Sequence, residues 1–392
     1  MSRLDELIKE LCPDGVEQIE LGDIIFETKE RNKECRYDQV RSVTNTGILV
    51  PTSEYFDKQI TSEDTSNYKV VRKGMFAYNP SRINIGSIAW SKENEPVIVS
   101  PMYIVFDIKR EKVSQEYLMY YLRSGIGMHK INSKVEPGAR FRLPIESLSK
   151  ITIPLPPPPV QQEIVRILDK FTELTAELTA ELTARRKQYE YYRDLLLTFE
   201  GNPEVKWMAL GEVCDLFAGG DIPKDRYSKE KTDKYTIPIY SNGIGDKALY
   251  GYTDIAKIST LSVTISARGT IGYSILHKEP YYPIIRLICA IPKNIITAEY
   301  LYYAVQILKF KVPTSGIPQL TVPMVAKYKI PVPPLEEQER IVAILNRFDA
   351  LCNDLTSGLP AEIEARKKQY EYYRDKLLSF KPLPSKDEEG TA

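Results

Sequence analysis

The chain has only two histidines, two tryptophans and five cysteines in 392 residues, and each scarcity closes a class of chemistry. The cysteines (Cys12, Cys35, Cys214, Cys289 and Cys352) are scattered without CxxC spacing, so neither structural zinc nor a disulfide framework is expected. His129 and His277 have no nucleophile or ligand partner close in sequence, so both are expected to be structural or surface residues. No apolar run approaches the roughly 18 residues of a spanning helix. The acidic, amphipathic start lacks the basic and apolar layout of a signal peptide, and the cytoplasm is the expected compartment. An excess of one charge is missing as well: Lys plus Arg and Asp plus Glu number 53 each. No global positive field marks nucleic acid, and any such site must be a local patch. The GxxxxGK(S/T) loop that cradles nucleotide phosphates is absent. So is the double-proline tetrapeptide of enzymes that methylate base amino groups; Asn79-Pro80-Ser81 lacks its second proline and its aromatic. Gly243-Ile244-Gly245 reads as a turn.

What remains is a folded chain of two or three domains, with 43% hydrophobic and 27% charged residues. Its 26 tyrosines against 11 phenylalanines suggest surfaces that are half buried and half wet, such as interfaces.

The chain contains itself twice. IPLPPPPVQQEIVRILDKF (153–171) returns as IPVPPLEEQERIVAILNRF (330–348), and RRKQYEYYRDLLLTF (185–199) returns as RKKQYEYYRDKLLSF (366–380). Fainter echoes pair VEQIELGDI (16–24) with VKWMALGEV (205–213), SRINIG (81–86) with ARGTIG (267–272), and EYLMYY (116–121) with EYLYYA (299–304). Two divergent modules are therefore each followed by a closely matching connector.

The connectors read as helices. Val160 to Glu200 holds no glycine or proline, and an apolar stripe through Ile164, Leu168, Phe171, Leu174, Leu178 and Leu182 recurs at helical spacings. About 41 residues at 1.5 Å each reach about 60 Å, longer than a small domain, so the helix is a spacer. Leu174, Leu178 and Leu182 are expected to pair with Leu351 and Leu355 of the second copy. Ser357-Gly358-Leu359-Pro360 interrupts that copy, with Pro360 suited to the first turn of a new helix. Proline clusters at 154–159 and 331–334 stop the preceding strand. The expected domains are 1–152 and 202–329 as globular modules, 153–201 and 330–381 as helical connectors, and 382–392 as a polar, disordered tail. Short β-like runs with turn residues dominate the modules, which gives an α+β fold of mixed, mostly antiparallel sheets.

Candidate contacts to DNA come from local basic clusters and from the repeat. Lys130, Lys134, Arg140 and Arg142 surround the Pro137-Gly138 turn; the corresponding stretch of the second module offers Lys309, Lys311 and Gln319. Arg82 and Arg268 hold the same repeat position, followed two residues on by Asn84 and Thr270. An arginine kept in both divergent modules suits phosphate, or guanine through O6 and N7. A solvated loop, or an arginine paired with a nearby carboxylate, is the structural alternative for these residues. Asp14, Glu27 and Lys29 match the loose PD…ExK pattern of metal-dependent nucleases, a spacing frequent by chance. Tyr189, Tyr192, Tyr370 and Tyr373 of the connectors are candidates for docking partner proteins.

The order of these motifs resembles the specificity subunit of type I restriction-modification systems. The resemblance rests on LCPDGVE (11–17), the proline-rich entry with IVRILDKF (164–171), TAEL twice (175–178 and 179–182), RKQYEYYRD (186–194) and the second set at 341–348 and 367–375. The tandem tetrapeptide points to the subgroup carrying it in the central helix. That resemblance implies two target-recognition domains, each reading one half of a split site in double-stranded DNA, joined by an antiparallel coiled coil with pseudo-twofold symmetry. It implies two modification (methyltransferase) subunits with S-adenosylmethionine, restriction subunits with ATP and Mg, no cofactor or metal on this chain, and no catalysis by it. The alternatives are a nuclease using Asp14, Glu27 and Lys29, or a scaffold protein that binds no DNA.

Overall fold

Strand alternation builds each module. In Phe76–Tyr78, Phe76 and Tyr78 face one side and Ala77 the other, and all three are buried. This strand belongs to an antiparallel sheet ordered Ile25–Glu27, Ile104–Ile108, Phe76–Tyr78, Ile88–Trp90. Its large side chains pack on the helix Gln115–Leu122, and its small ones (Ala77, Ala89) on a second, mixed sheet through Val43, Val97 and Val99. The structure is a computed structural model that describes all residues except 1, 56–61, 63, 135–140, 200, 313–315, 355 and 385–392.

Two compact units divide the chain, residues 1–178 with 363–392 and residues 179–362. In the second, the antiparallel sheet runs Cys214–Ala218, Leu287–Pro292, Ser262–Ser266, Ser274–His277, and the helix Ala298–Gln306 covers its large side chains. The two modules differ in the other sheet. The first adds Lys69–Val71 beside Val97–Val99, whereas the second adds Tyr227–Ser228 beside Leu249–Thr253, on the opposite edge. Between its sheets the first unit is aliphatic apart from Tyr103; the second is polar and aromatic, with Thr264 Oγ1 bonded to His277 Nε2 at 2.8 Å and the imidazole stacked on Tyr281 at 3.8 Å. Burial lowers the His277 pKa to about 4.

The central helix spans Pro158–Leu196 and passes from the first unit to the second between Leu178 and Thr179. The second connector is two helices, Leu335–Asn353 and Leu359–Leu377, broken where the sequence places Ser357-Gly358. At the break the Asp354 carboxylate accepts bonds from Thr356 and Ser357. Each connector is anchored by a buried glutamine. Gln161 Nε2 donates to the carbonyls of Lys112 and Pro156, and its Oε1 accepts from Ser114 N; Gln338 does the same with Ile295, Pro333 and Thr297 N. These bonds tie the proline-rich entry to the N-terminus of each module's packed helix.

Ring contacts repeat the same symmetry. Phe171 stacks on Tyr373 at 5.7 Å in the first unit, and Phe348 on Tyr192 at 5.6 Å in the second. Leu182 packs on the core of the second unit, but Leu174 and Leu351 are 48% and 39% exposed instead of closing an apolar seam. Leu178 is half-buried, and Leu355 lies outside the described residues. Many tyrosines are internal struts, contrary to the interface expectation: Tyr117 and Tyr300 donate to the carbonyls of Pro154 and Pro331 and are fully buried. Pro382 and Leu383, expected in the tail, are tied to Val16 by a parallel bridge and a backbone bond. Among the described residues no helix is long and apolar enough to cross a membrane.

Candidate nucleic-acid interface

In both units the repeated arginine sits in the connection between equivalent strands of the antiparallel sheet, and the chain folds back in the same way. Arg82 precedes a one-turn helix (Ile83–Ile85) closed by Gly86 at φ 87°. A Cβ on Gly86 would lie 2.7 Å from the Asn45 carbonyl, so the site needs glycine for conformation and for room. Gly272 has φ 84°, and its Cβ would meet the Phe310 ring at 2.9 Å.

A returning segment runs beside each turn. Leu143 N donates to the Pro80 carbonyl, which brings Arg142 near Arg82. In the second unit Leu320 N donates to the Ala267 carbonyl, and Arg268 bridges Gln319. Arg142 and Gln319 are both exposed, as is Arg82, while Arg268 is half-buried. Neither Arg82 nor Arg268 has a side-chain ion pair among the described residues, so the structural alternative of a carboxylate partner finds no support.

An asparagine loop completes the surface. Arg123 Nη2 donates to the Asn45 carbonyl at 3.2 Å. In the second unit Asn242 Nδ2 donates to the Arg268 carbonyl at 2.6 Å, and Thr270 Oγ1 donates to the Asn242 carbonyl. The exposed side chains Ile48 and Ile85 flank the first turn, Ile244 and Ile317 the second. Each surface thus combines an arginine turn, an asparagine loop and a returning segment that carries Arg142 in one case and Gln319 in the other. Such a set can bond phosphate and base edges together. The asparagine loops escaped the sequence reading; TNTGI (44–48) and SNGIG (241–245), a Thr or Ser before Asn with Gly nearby, were the available signal.

The other basic candidates separate. Lys134, Arg142, Lys309 and Lys311 are exposed. Asn84 is half-buried in the one-turn helix after Arg82. Lys130 is not available: its ammonium donates to the Thr152 carbonyl at 2.7 Å and burial lowers its pKa. Arg140 and the Pro137-Gly138 turn lie outside the described residues. On the connectors, Tyr189 is buried against Gln306, which removes it as a docking residue, and Tyr370 is half-buried. Tyr192 and Tyr373 are committed to their stacks on one face and 37% exposed, whereas their neighbours Tyr191 and Tyr372 are 64% and 62% exposed.

The nuclease pattern does not assemble. Glu27 lies 3.6 Å from Lys29 in an ion pair, Asp14 sits in a turn held beside Lys381 and Pro382, and no group of three His, Cys, Asp or Glu could hold a metal among the described residues.

Two like modules on helical connectors, each presenting an arginine turn beside an asparagine loop, have the make-up of a two-part recognition protein. Residues 13–185 and 202–365 both match the type I restriction modification DNA specificity domain, and the chain belongs to that family. It is 36% identical over 290 residues to a type I specificity subunit of Mycoplasma pneumoniae, covering 70% of this chain and 85% of the relative. It is 36% identical over 312 residues to the Escherichia coli type I restriction enzyme EcoR124I/EcoR124II specificity subunit, covering 73% and 75%. Two solved structures share the fold. One is a chain from a study of complex assembly and conformational transition of the type I R-M system (TM-score 0.62, 21% identity, covering 93% of this chain and 98% of that one). The other is the S subunit from M. genitalium (TM-score 0.54, 15% identity, 92% and 96%). Members of this family are non-catalytic DNA-recognition subunits.

Proposed function

We propose that each module, 1–152 and 202–329, reads one half of a split site in double-stranded DNA, and that the connectors hold two modification subunits. Those partners carry S-adenosylmethionine and the adenine-methylating site; restriction subunits with ATP and Mg join through them, in the cytoplasm. This chain contributes recognition and spacing, with no cofactor of its own. One observation supports the reading above the others: the same three-part surface is built twice, with Arg82, Arg142 and Asn45 in one unit and Arg268, Gln319 and Asn242 in the other. A duplicated frame with different side chains suits two different half-sites.

The test exchanges residues 25–150 for the corresponding module of another specificity subunit and maps methylated adenines in cells that also express the modification partner. One half-site changes and the other stays. A simultaneous change of both halves refutes independent reading.

A further inference from the structure

The second unit contains a partly open cavity of about 280 Å³ behind the Arg268 turn, lined among others by Tyr189, Arg193, Ser274, Tyr302, Gln306 and Asp349. Its counterpart in the first unit can be read residue by residue from the internal repeat. Tyr370 and Arg374 correspond to Tyr189 and Arg193, Arg123 to Gln306, and Thr172 to Asp349. There the space is filled: the Arg123 guanidinium lies against Gly47 and Gly86, feels the charges of Tyr370 and Arg374, and binds the Asn45 carbonyl. The protein's own cation thus braces the helix after Gln115 against the asparagine loop.

Three positions differ in charge between the two sites. A neutral glutamine replaces the guanidinium and Asp349 replaces a threonine, while neutral Asn346 replaces Asp169, which bonds Tyr120 in the first unit, so the second site is one charge more negative than the filled one and its carboxylate stands in the cavity wall itself. Arg193 does not distinguish the two sites, because it and its counterpart Arg374 are each paired with the aspartate that follows, at 2.8 Å and 3.1 Å. Asp349 accepts one bond, from Asn353 Nδ2 at 2.9 Å, and has no cation partner among the described residues. Ser274 Oγ, on a residue 7% exposed, is buried with no hydrogen-bond partner and lines the cavity. A lone carboxylate, tyrosine rings and an unsatisfied hydroxyl are the partners of an organic cation with N–H donors. A 280 Å³ space suits a small one.

We propose that this cavity binds a small organic cation, with a guanidinium or alkylammonium head, in the place that Arg123 occupies in the first unit. The occupant bonds Asp349 and Ser274 and rests on the tyrosine rings. It also braces the recognition surface, since Tyr273 forms part of the wall and its hydroxyl accepts from Gly245 N in the asparagine loop.

The full chain, without DNA or partners, is titrated calorimetrically with methylguanidinium and with methylammonium, each against sodium at equal ionic strength. At least one of the two saturates a single site. Asp349→Asn weakens it about tenfold, as expected for a charged hydrogen bond of about 1.4 kcal/mol or more, and Gln306→Arg, which supplies the cation covalently, abolishes it. No saturation by either cation below the concentration that unfolds the protein overturns the proposal. So does binding that Asp349→Asn leaves unchanged, whether or not Gln306→Arg folds. The titration needs no DNA, so its result is independent of the half-site reading.

Discussion

Inserting one further TAEL after Leu178 should lengthen the nonspecific spacer between the two half-sites while leaving both half-sites as they are. The insertion falls where the central helix passes from one compact unit to the other, so contacts internal to each unit are preserved. Four helical residues add about 6 Å and about 400° of turn, a net rotation of about 40°. At the roughly 5 Å radius of a helix surface, that moves side chains sideways by about 3.5 Å, a shift that exposed Leu174 and half-buried Leu178 can absorb. Five residues would instead rotate the downstream part of the helix by about 140° against the upstream part, about 12 Å at its surface, and should impair assembly. The broken second connector is the segment able to follow the extension; over the same span (Phe348 to Arg366 against Phe171 to Arg185) it is already one tetrapeptide longer. With base pairs about 3.4 Å apart, 6 Å corresponds to one or two added pairs, and tilt between helix and DNA favours one. Mapping of methylated sites in cells that express the variant with its modification partner measures the spacer directly. Full methylation with an unchanged spacer would refute the idea that this helix sets the distance.

Arg82→Ala and Arg268→Ala should each weaken DNA binding by the assembled complex, and the pattern of loss assigns the contact. A lost phosphate contact lowers affinity for all sequences and reduces the salt slope by about one, whereas a lost guanine contact relaxes one base position by about 1 to 3 kcal/mol; unchanged affinity and specificity in both variants would return the arginines to a structural role. The second unit should also be acid-sensitive. His277 is buried neutral with its pKa lowered to about 4, against about 6.5 when unfolded, so its contribution is intact above pH 6.5 and is lost as pH falls toward 4. The loss approaches about 3 kcal/mol across that window, and His277→Gln should flatten the dependence in denaturant titrations at a series of pH values.

Much of this was legible in sequence because it depends on local repetition. Near-identical connectors, proline-rich entries, helical periodicity and the Ser357-Gly358 break are properties of neighbouring residues, and the structure places helices and interruption where those residues predict them. The arginine at the repeated position was visible for the same reason. Long-range closure was not. Gln161 and Gln338 look like ordinary polar residues at helix starts, and only the fold surrounds each amide with two carbonyls and a backbone N–H. Lys130 looked available for phosphate until the Thr152 carbonyl, brought up by the following strand, claimed its ammonium. The tyrosines of a single YEYY motif divide into a buried strut, an exposed ring and a stacked ring, because a helix turns each neighbour about 100° and the packed module covers only one side. The charge of the space behind each recognition turn was likewise fixed by tertiary structure, since Arg123 meets Asn45, and Gln306 lies near Asp349, only after strands and helices far apart in the chain have packed together.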